Sequence, residues 1–179
     1  MSEDGASRLS RPVGDDDHQQ GPTDAPVTLV EYGDYECPYC GAAHPIVQAI
    51  QKEMGDRLRF VFRNFPLTQI HPHAAGAAEA AEAAGDQNAF WPYHDHLFEH
   101  QYALSPRDLA GYAGEFNLDA ARFERALESH EFEERVRADF MSGVRSGVNG
   151  TPTFFINGVR HDDSYDYEVL LAALNEAKS

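Results

Sequence analysis

A chain of 179 residues, 42% apolar and 25% charged, is long enough for one domain with a substantial core and short for two. Thirty Asp and Glu against fourteen Lys and Arg leave a formal net charge of -16, which argues against nucleic acid and anionic membranes as partners, since both are polyanions. No window holds the roughly 18 apolar residues of a membrane helix, and residues 1–20 lack the apolar centre of a secretory signal, so the expectation is a cytoplasmic protein, or a periplasmic or extracytoplasmic one if a signal was removed, and a monomer.

Residues 1–25 are polar and rich in Asp, Gly, Ser and Pro, which predicts a disordered acidic tail centred on Asp15-Asp16-Asp17. Order is expected from Pro26. Val27-Thr28-Leu29-Val30-Glu31-Tyr32 has the β-branched and aromatic composition of a buried strand, with Glu31 as its misfit. From Cys37 to Met54 a helix is expected, since Ile46, Val47, Ile50 and Met54 form an apolar stripe and Gly55 is a stop. Leu58 to Arg63 alternates as a second strand does.

Between Pro72 and Gly147 the period turns helical. Ala74 to Ala84 is an Ala/Glu run, a strong helix former. Phe90 to Phe98 makes a second helix, and Ser105-Pro106 opens a third as N-cap and first-turn proline. Asp119 to Glu128 and Glu131 to Val144 supply two more. Pro152-Thr153-Phe154-Phe155-Ile156 is an apolar strand, followed by an Asn157-Gly158 turn, a short return strand over Val159 to His161, and a closing helix over Tyr167 to Ala177. The economical packing is a single α/β unit in which 26–66 and 148–177 carry the sheet and 67–147 form an inserted helical part.

The only two cysteines, Cys37 and Cys40, stand in a C-x-x-C spacing. So short a loop constrains the unfolded chain too little to act as a structural staple. That leaves a redox couple, half of a metal site, or coincidence. The position of the pair, where a strand hands over to a helix, favours redox. Unpaired N–H groups and the positive helix end lower the pKa of a thiolate at Cys37, while Cys40 lies one turn deeper. Cys37 is therefore expected to attack and Cys40 to resolve the mixed disulfide. Asp34 and Glu36 flank the pair and are expected to oppose thiolate formation. Glu31 admits two readings, a raised carboxyl that takes a proton from Cys40 during exchange or an acid at a wet strand end. Pro152 reads on its own as a proline at a strand start.

Glu31 with Cys37-Pro38-Tyr39-Cys40, the stretch Phe62-Arg63-Asn64-Phe65-Pro66-Leu67 and Gly150-Thr151-Pro152-Thr153-Phe154-Phe155-Ile156-Asn157-Gly158 together resemble the DsbA family of thiol–disulfide oxidoreductases, over roughly residues 20–177. The resemblance implies an α/β, thioredoxin-like fold, a central mixed β-sheet flanked by helices, with an inserted α-helical domain. It implies Pro152 as a cis-proline facing the active-site disulfide, Thr151 as a residue that tunes redox potential and substrate contact, and Glu31 as the family's buried acid. Pro38, Tyr39, Thr151 and Pro152 are the expected substrate contacts. Thiol- or disulfide-containing proteins and a separate redox partner are the expected partners. No cofactor is expected beyond the redox-active Cys37–Cys40 disulfide, with glutathione as a candidate reductant. Similar domains occur as soluble cytosolic proteins and fused to sodium/proton antiporters. Pro-Tyr differs from the Pro-His of strongly oxidising periplasmic members and is shared with many glutaredoxins. The helical stretch from Pro72 to Gly147 has no place in that compact domain.

Two other classes compete. Nine histidines include His71-Pro72-His73 and His94-Asp95-His96, with His96 and His100 at the i, i+4 spacing that can chelate a metal. No His-Glu-x-x-His pattern occurs, and no metal is expected. A non-enzymatic peptide-binding module would instead use an apolar groove near the cysteines, and it would lack exchange activity.

Overall fold

The apolar runs pair as the centre of a five-stranded mixed sheet in the computed structural model, which describes residues 5–177. Strands β1 (His18–Gln20), β2 (Val27–Gly33), β3 (Leu58–Asn64), β4 (Thr153–Ile156) and β5 (Val159–Arg160) lie in the order β1-β3-β2-β4-β5. β2 runs parallel to β3, with Glu31 opposite Phe62, and antiparallel to β4, with Glu31 opposite Phe154. A parallel pair needs a crossover, which α1 (Pro38–Met54) supplies before the chain turns at Gly55, whose φ of 52° suits glycine. Helices α2 (Ala74–Asp86), α3 (Phe90–Glu99), α4 (Pro106–Glu115), α5 (Ala120–Glu128) and α6 (Glu133–Arg145) all fall between β3 and β4, and α7 (Tyr167–Glu176) closes the chain.

Strand alternation sorts the core into two faces. Leu29, Phe60 and Phe62 point to one, where they meet Cys37, Cys40, Val47 and Ile50 of the α1 region, Leu97 of α3 and Leu170 of α7. Val30, Tyr32, Val61 and Phe155 point to the other, with Phe65, Val148 and Phe140 of α6. Because both faces are covered, β2 reads as an unbroken apolar run rather than an alternating one. All the alanines of α2 except Ala75 are buried, and their small side chains let α3, α5 and α6 close in around it. This is a thioredoxin-like arrangement carrying five helices between its second and third central strands.

Residues 5–25 correct the expectation of a disordered tail. β1 pairs antiparallel with β3, Leu9 and Val13 pack on the second face, and the Leu9 N–H donates to the Gly158 carbonyl at 2.9 Å. The cause is Arg63. Alternation along β3 buries its side chain completely, and a buried guanidinium requires a counter-charge and acceptors. Asp17 provides the charge through bonds of 2.8 and 3.0 Å, and the carbonyls of Arg11 and Pro12 accept at 3.0 and 3.2 Å. Arg11 in turn reaches the buried Asp139 of α6 at 2.7 Å. Among the described residues, no helix is long and apolar enough to cross a membrane.

Candidate active site

The chain leaves β2 at Gly33 and enters α1 through Asp34, Tyr35 and Glu36. Cys37 is the N-cap of α1, with extended backbone (φ -73°, ψ 122°) and proline next in line. Its N–H donates to the Asp34 carbonyl at 3.1 Å, and its carbonyl accepts from Gly41 at 3.0 Å. Pro38 and Tyr39 are exposed, Tyr39 at 67%, whereas both cysteines are buried free thiols. The lead-in to β4 approaches from the neighbouring strand, placing the Thr151 carbonyl 3.6 Å from Cys37 Sγ. The Thr151–Pro152 peptide bond is cis.

The two sulfurs are electrostatically unlike. For Cys37 the largest influence is the hydrogen bond from the Cys40 thiol, which outweighs the opposing effect of burial. A Thr151 bond and the N–H groups of Cys40 and Tyr39 add to it, and the thiol falls to about 5. Burial pushes the Cys40 thiol well above its ordinary value, helped by the Cys37 partner and the charge of Glu31. Near neutral pH, Cys37 is a thiolate held by a protonated Cys40.

Glu31 lies on the same sheet face as this pair. It is 3% exposed and its Oε2 has no hydrogen-bond partner among the described residues, so the wet-strand-end reading fails. Burial, and then the charge of Cys37, push its carboxyl up to about 8.

Asp34 and Glu36 do not act as expected from their position in sequence. The buried Asp34 carboxylate accepts from the Glu36 N–H at 2.7 Å and the Leu67 N–H at 2.9 Å, and pairs with His71 Nδ1 at 2.7 Å. Glu36 accepts from the His73 N–H at 3.2 Å and pairs with His73 Nδ1 at 3.0 Å. Both acids are thus committed to the loop after β3, and neither is among the largest influences on Cys37. The His71-Pro72-His73 motif finds its use there, as partner of two carboxylates.

Two contacts carry no sequence signal. Gln101, just beyond α3, donates from Nε2 to the carbonyls of Tyr35 and Cys37 at 2.9 and 2.8 Å. Gly41 leaves it room, since a Cβ there would sit 2.1 Å from Gln101 Oε1. The Tyr35 hydroxyl bonds to His94 Nδ1 at 2.8 Å. His96 and His100 stack with ring centroids 3.9 Å apart, and His100 Nδ1 bonds back to the His96 carbonyl at 2.8 Å.

A family model described as thioredoxin matches residues 14–176. Among solved structures, oxidised BdbD of Bacillus subtilis aligns with a TM-score of 0.84 at 26% identity, covering 96% of this chain and 97% of that one. The fold of Wolbachia pipientis alpha-DsbA1 is also shared, at TM-score 0.80 and 18% identity over 94% of each chain. Among sequences, a Na(+)/H(+) antiporter NhaA 1 of Salinispora arenicola is 50% identical over 175 residues, which are 97% of this chain and 27% of that protein. NhaA 3 of Salinispora tropica is 47% identical over the same length and share. The chain thus spans about a quarter of the length of these curated relatives. It belongs to the thioredoxin family, and its fold is the one shared by BdbD and alpha-DsbA1.

Proposed function

We propose that Cys37 and Cys40 are the redox pair and that disulfides are exchanged with protein substrates. The Cys37 thiolate attacks one sulfur of a substrate disulfide, forming a mixed disulfide and releasing the other substrate sulfur as a thiolate. Glu31 takes the proton of Cys40, whose thiolate then attacks Cys37 Sγ. This closes the Cys37–Cys40 disulfide and releases the second substrate thiolate. The substrate gains two electrons and the pair loses two. The reverse sequence oxidises a substrate dithiol, and a separate partner then restores the disulfide.

Thr151 and Pro152 are partly exposed beside Cys37, and Pro38 and Tyr39 are exposed on the other side of it. An extended substrate segment laid along Thr151–Pro152 reaches the sulfur from there. The exposed Ile70, in the loop that holds Asp34, adds an apolar contact for a polypeptide rather than a small thiol.

The observation that carries this reading is the asymmetry of the two thiols, one lowered and one raised within a single helical turn. It also favours a direction. A stabilised Cys37 thiolate stabilises the reduced pair, which makes the disulfide the more oxidising partner. We therefore assign net oxidation of protein dithiols.

Thiolate absorbance titration of the reduced protein, with equilibration against glutathione to obtain the potential, tests the assignment. A transition near pH 5 that is missing in Cys37→Ser, with a potential above that of thioredoxin, is expected. Oxidative refolding of reduced ribonuclease should also stop in Cys37→Ser. Exchange that persists in that variant would overturn the proposal.

A further inference from the structure

One turn along α1 from the redox pair, a second group of donors is gathered with no part in the exchange. His44 lies one helical turn beyond Cys40. His94 and Asp95 project from α3, which packs against α1. One donor atom from each of these three residues lies within 4.8 Å of the other two. His44 Nε2 sits 3.5 Å from Asp95 Oδ1. Two ligands of a tetrahedral zinc ion with bonds of about 2.0–2.2 Å are about 3.4 Å apart.

Two further observations separate this group from a chance meeting of polar side chains. His44 is 8% exposed, and its Nε2 is a buried nitrogen without a hydrogen-bond partner, aimed at the Asp95 carboxylate. A buried ring nitrogen left unbonded is unfavourable unless something completes it. His94 is 2% exposed and its Nδ1 is bonded to the Tyr35 hydroxyl, which orients the ring, so a metal held by His94 would take its other nitrogen. Such an outer partner on a histidine is the usual companion of a metal-ligating ring. The Asp95 side chain is 39% exposed and provides the path from solvent.

We propose that His44, His94 and Asp95 bind a divalent transition metal of the zinc class, with water as the fourth ligand, tying α1 to α3. Two imidazoles and one carboxylate suit that class better than calcium or magnesium, which favour sites made wholly of oxygen. The i, i+4 pair His96 and His100 is not part of it, since those rings stack on each other.

The test uses the full chain with Cys37→Ser and Cys40→Ser, so that the redox thiols cannot supply the ligands. Zinc is titrated in competition with a chromophoric chelator, and cobalt(II) is added separately to read coordination from its visible bands. One equivalent of zinc should bind. Cobalt should show the intense bands of low coordination without thiolate charge transfer. In that background His44→Gln and Asp95→Asn should each weaken zinc more than about tenfold, and Tyr35→Phe, acting through His94, by about tenfold. The Asp95→Asn change is half-exposed and tests the site even where His44→Gln fails to fold. Absence of zinc binding to the cysteine-free protein, or binding that neither His44→Gln nor Asp95→Asn weakens, would overturn the proposal.

Discussion

At Cys37 a local effect and a tertiary one act on the same sulfur. The first-turn N–H groups come with the N-cap position, while the Thr151 side chain that also lowers the thiol is brought by a strand more than a hundred residues away. Glu31 is the counterweight, a carboxyl on the same face that burial and the Cys37 charge raise from its ordinary 4.5 to about 8. A carboxyl whose folded pKa is raised stabilises the fold fully below pH 4.5, and that contribution is lost as pH rises through about 8. At about 1.4 kcal/mol per pH unit, the reduced protein gives up on the order of 4 kcal/mol across that window. Glu31→Gln removes this term, so its denaturant midpoint should decline less than that of the wild type between pH 5 and pH 8. Parallel declines would refute the raised carboxyl. The same variant should accumulate mixed disulfide with a substrate at pH 7, because the proton of Cys40 has lost its acceptor. The candidate pair Cys37 and Cys40 stood out in the sequence because its signal is local, a short spacing at the junction of two elements, and Glu31 because an acid interrupts an apolar strand. The engagement of Asp34 and Glu36 did not, since their partners His71 and His73 lie 37 residues on. Nothing in a linear spacing reports that pairing.

The strands and helices from Val27 onward follow from periodicity, and they fall where the apolar pattern places them. The segment before them escaped the same reading for a physical reason. Composition averages over Asp15-Asp16-Asp17, but one of those acids, Asp17, is nearly buried against Arg63. Burial by itself would raise Asp17; the Arg63 bonds and the Gly14 N–H overturn it, and its carboxyl stands below the ordinary range. Its contribution is therefore complete above pH 3.8 and disappears as the pH falls further. Asp17→Ala strands a buried guanidinium and should cost about 3–5 kcal/mol. Adding Arg63→Met should recover part of the loss, because the uncompensated charge goes with it. Equal destabilisation in the single and double variants would show that Arg63 is satisfied by the Tyr32 hydroxyl, to which it donates at 2.9 Å, and its carbonyl partners alone. Helix α6 makes the second test at this scale. It reaches the sheet at Gly143, where an added Cβ would stand 2.7 Å from Phe65 Cδ2 and 3.0 Å from Tyr32 Cδ1. Gly143→Ala should therefore lose about 1–3 kcal/mol by overpacking, despite the better helix propensity of alanine. A neutral or stabilising outcome in thermal melts would mean that α6 can move off the sheet.

For the whole molecule, redox state and folding are linked through the same sulfur. Folding lowers Cys37 from 9.0 to about 5 in the reduced protein, and the oxidised protein has no thiol to lower. The resulting stabilisation is fully present above pH 9.0, shrinks as the pH falls, and is gone below about 5. The disulfide also stabilises the oxidised form, by an amount on the order of 2 kcal/mol for so short a loop, but that contribution does not vary with pH. The sign of the stability difference at a single pH is therefore uninformative, and its slope carries the test. Reduced minus oxidised melting temperature should rise from pH 5 to pH 8, at about 2–4 °C per kcal/mol for a chain of this size. Glu31 works against the rise, because the charge of Cys37 raises it only in the reduced protein. In Glu31→Gln the slope should consequently steepen. Since the two redox states and two folding states form a closed cycle, the reduction potential of the folded protein must climb relative to that of the unfolded chain over the same pH range. Melting curves of the two redox forms that stay parallel from pH 5 to pH 8 would mean that the Cys37 thiolate contributes nothing to the fold, and the oxidising direction would lose its physical basis.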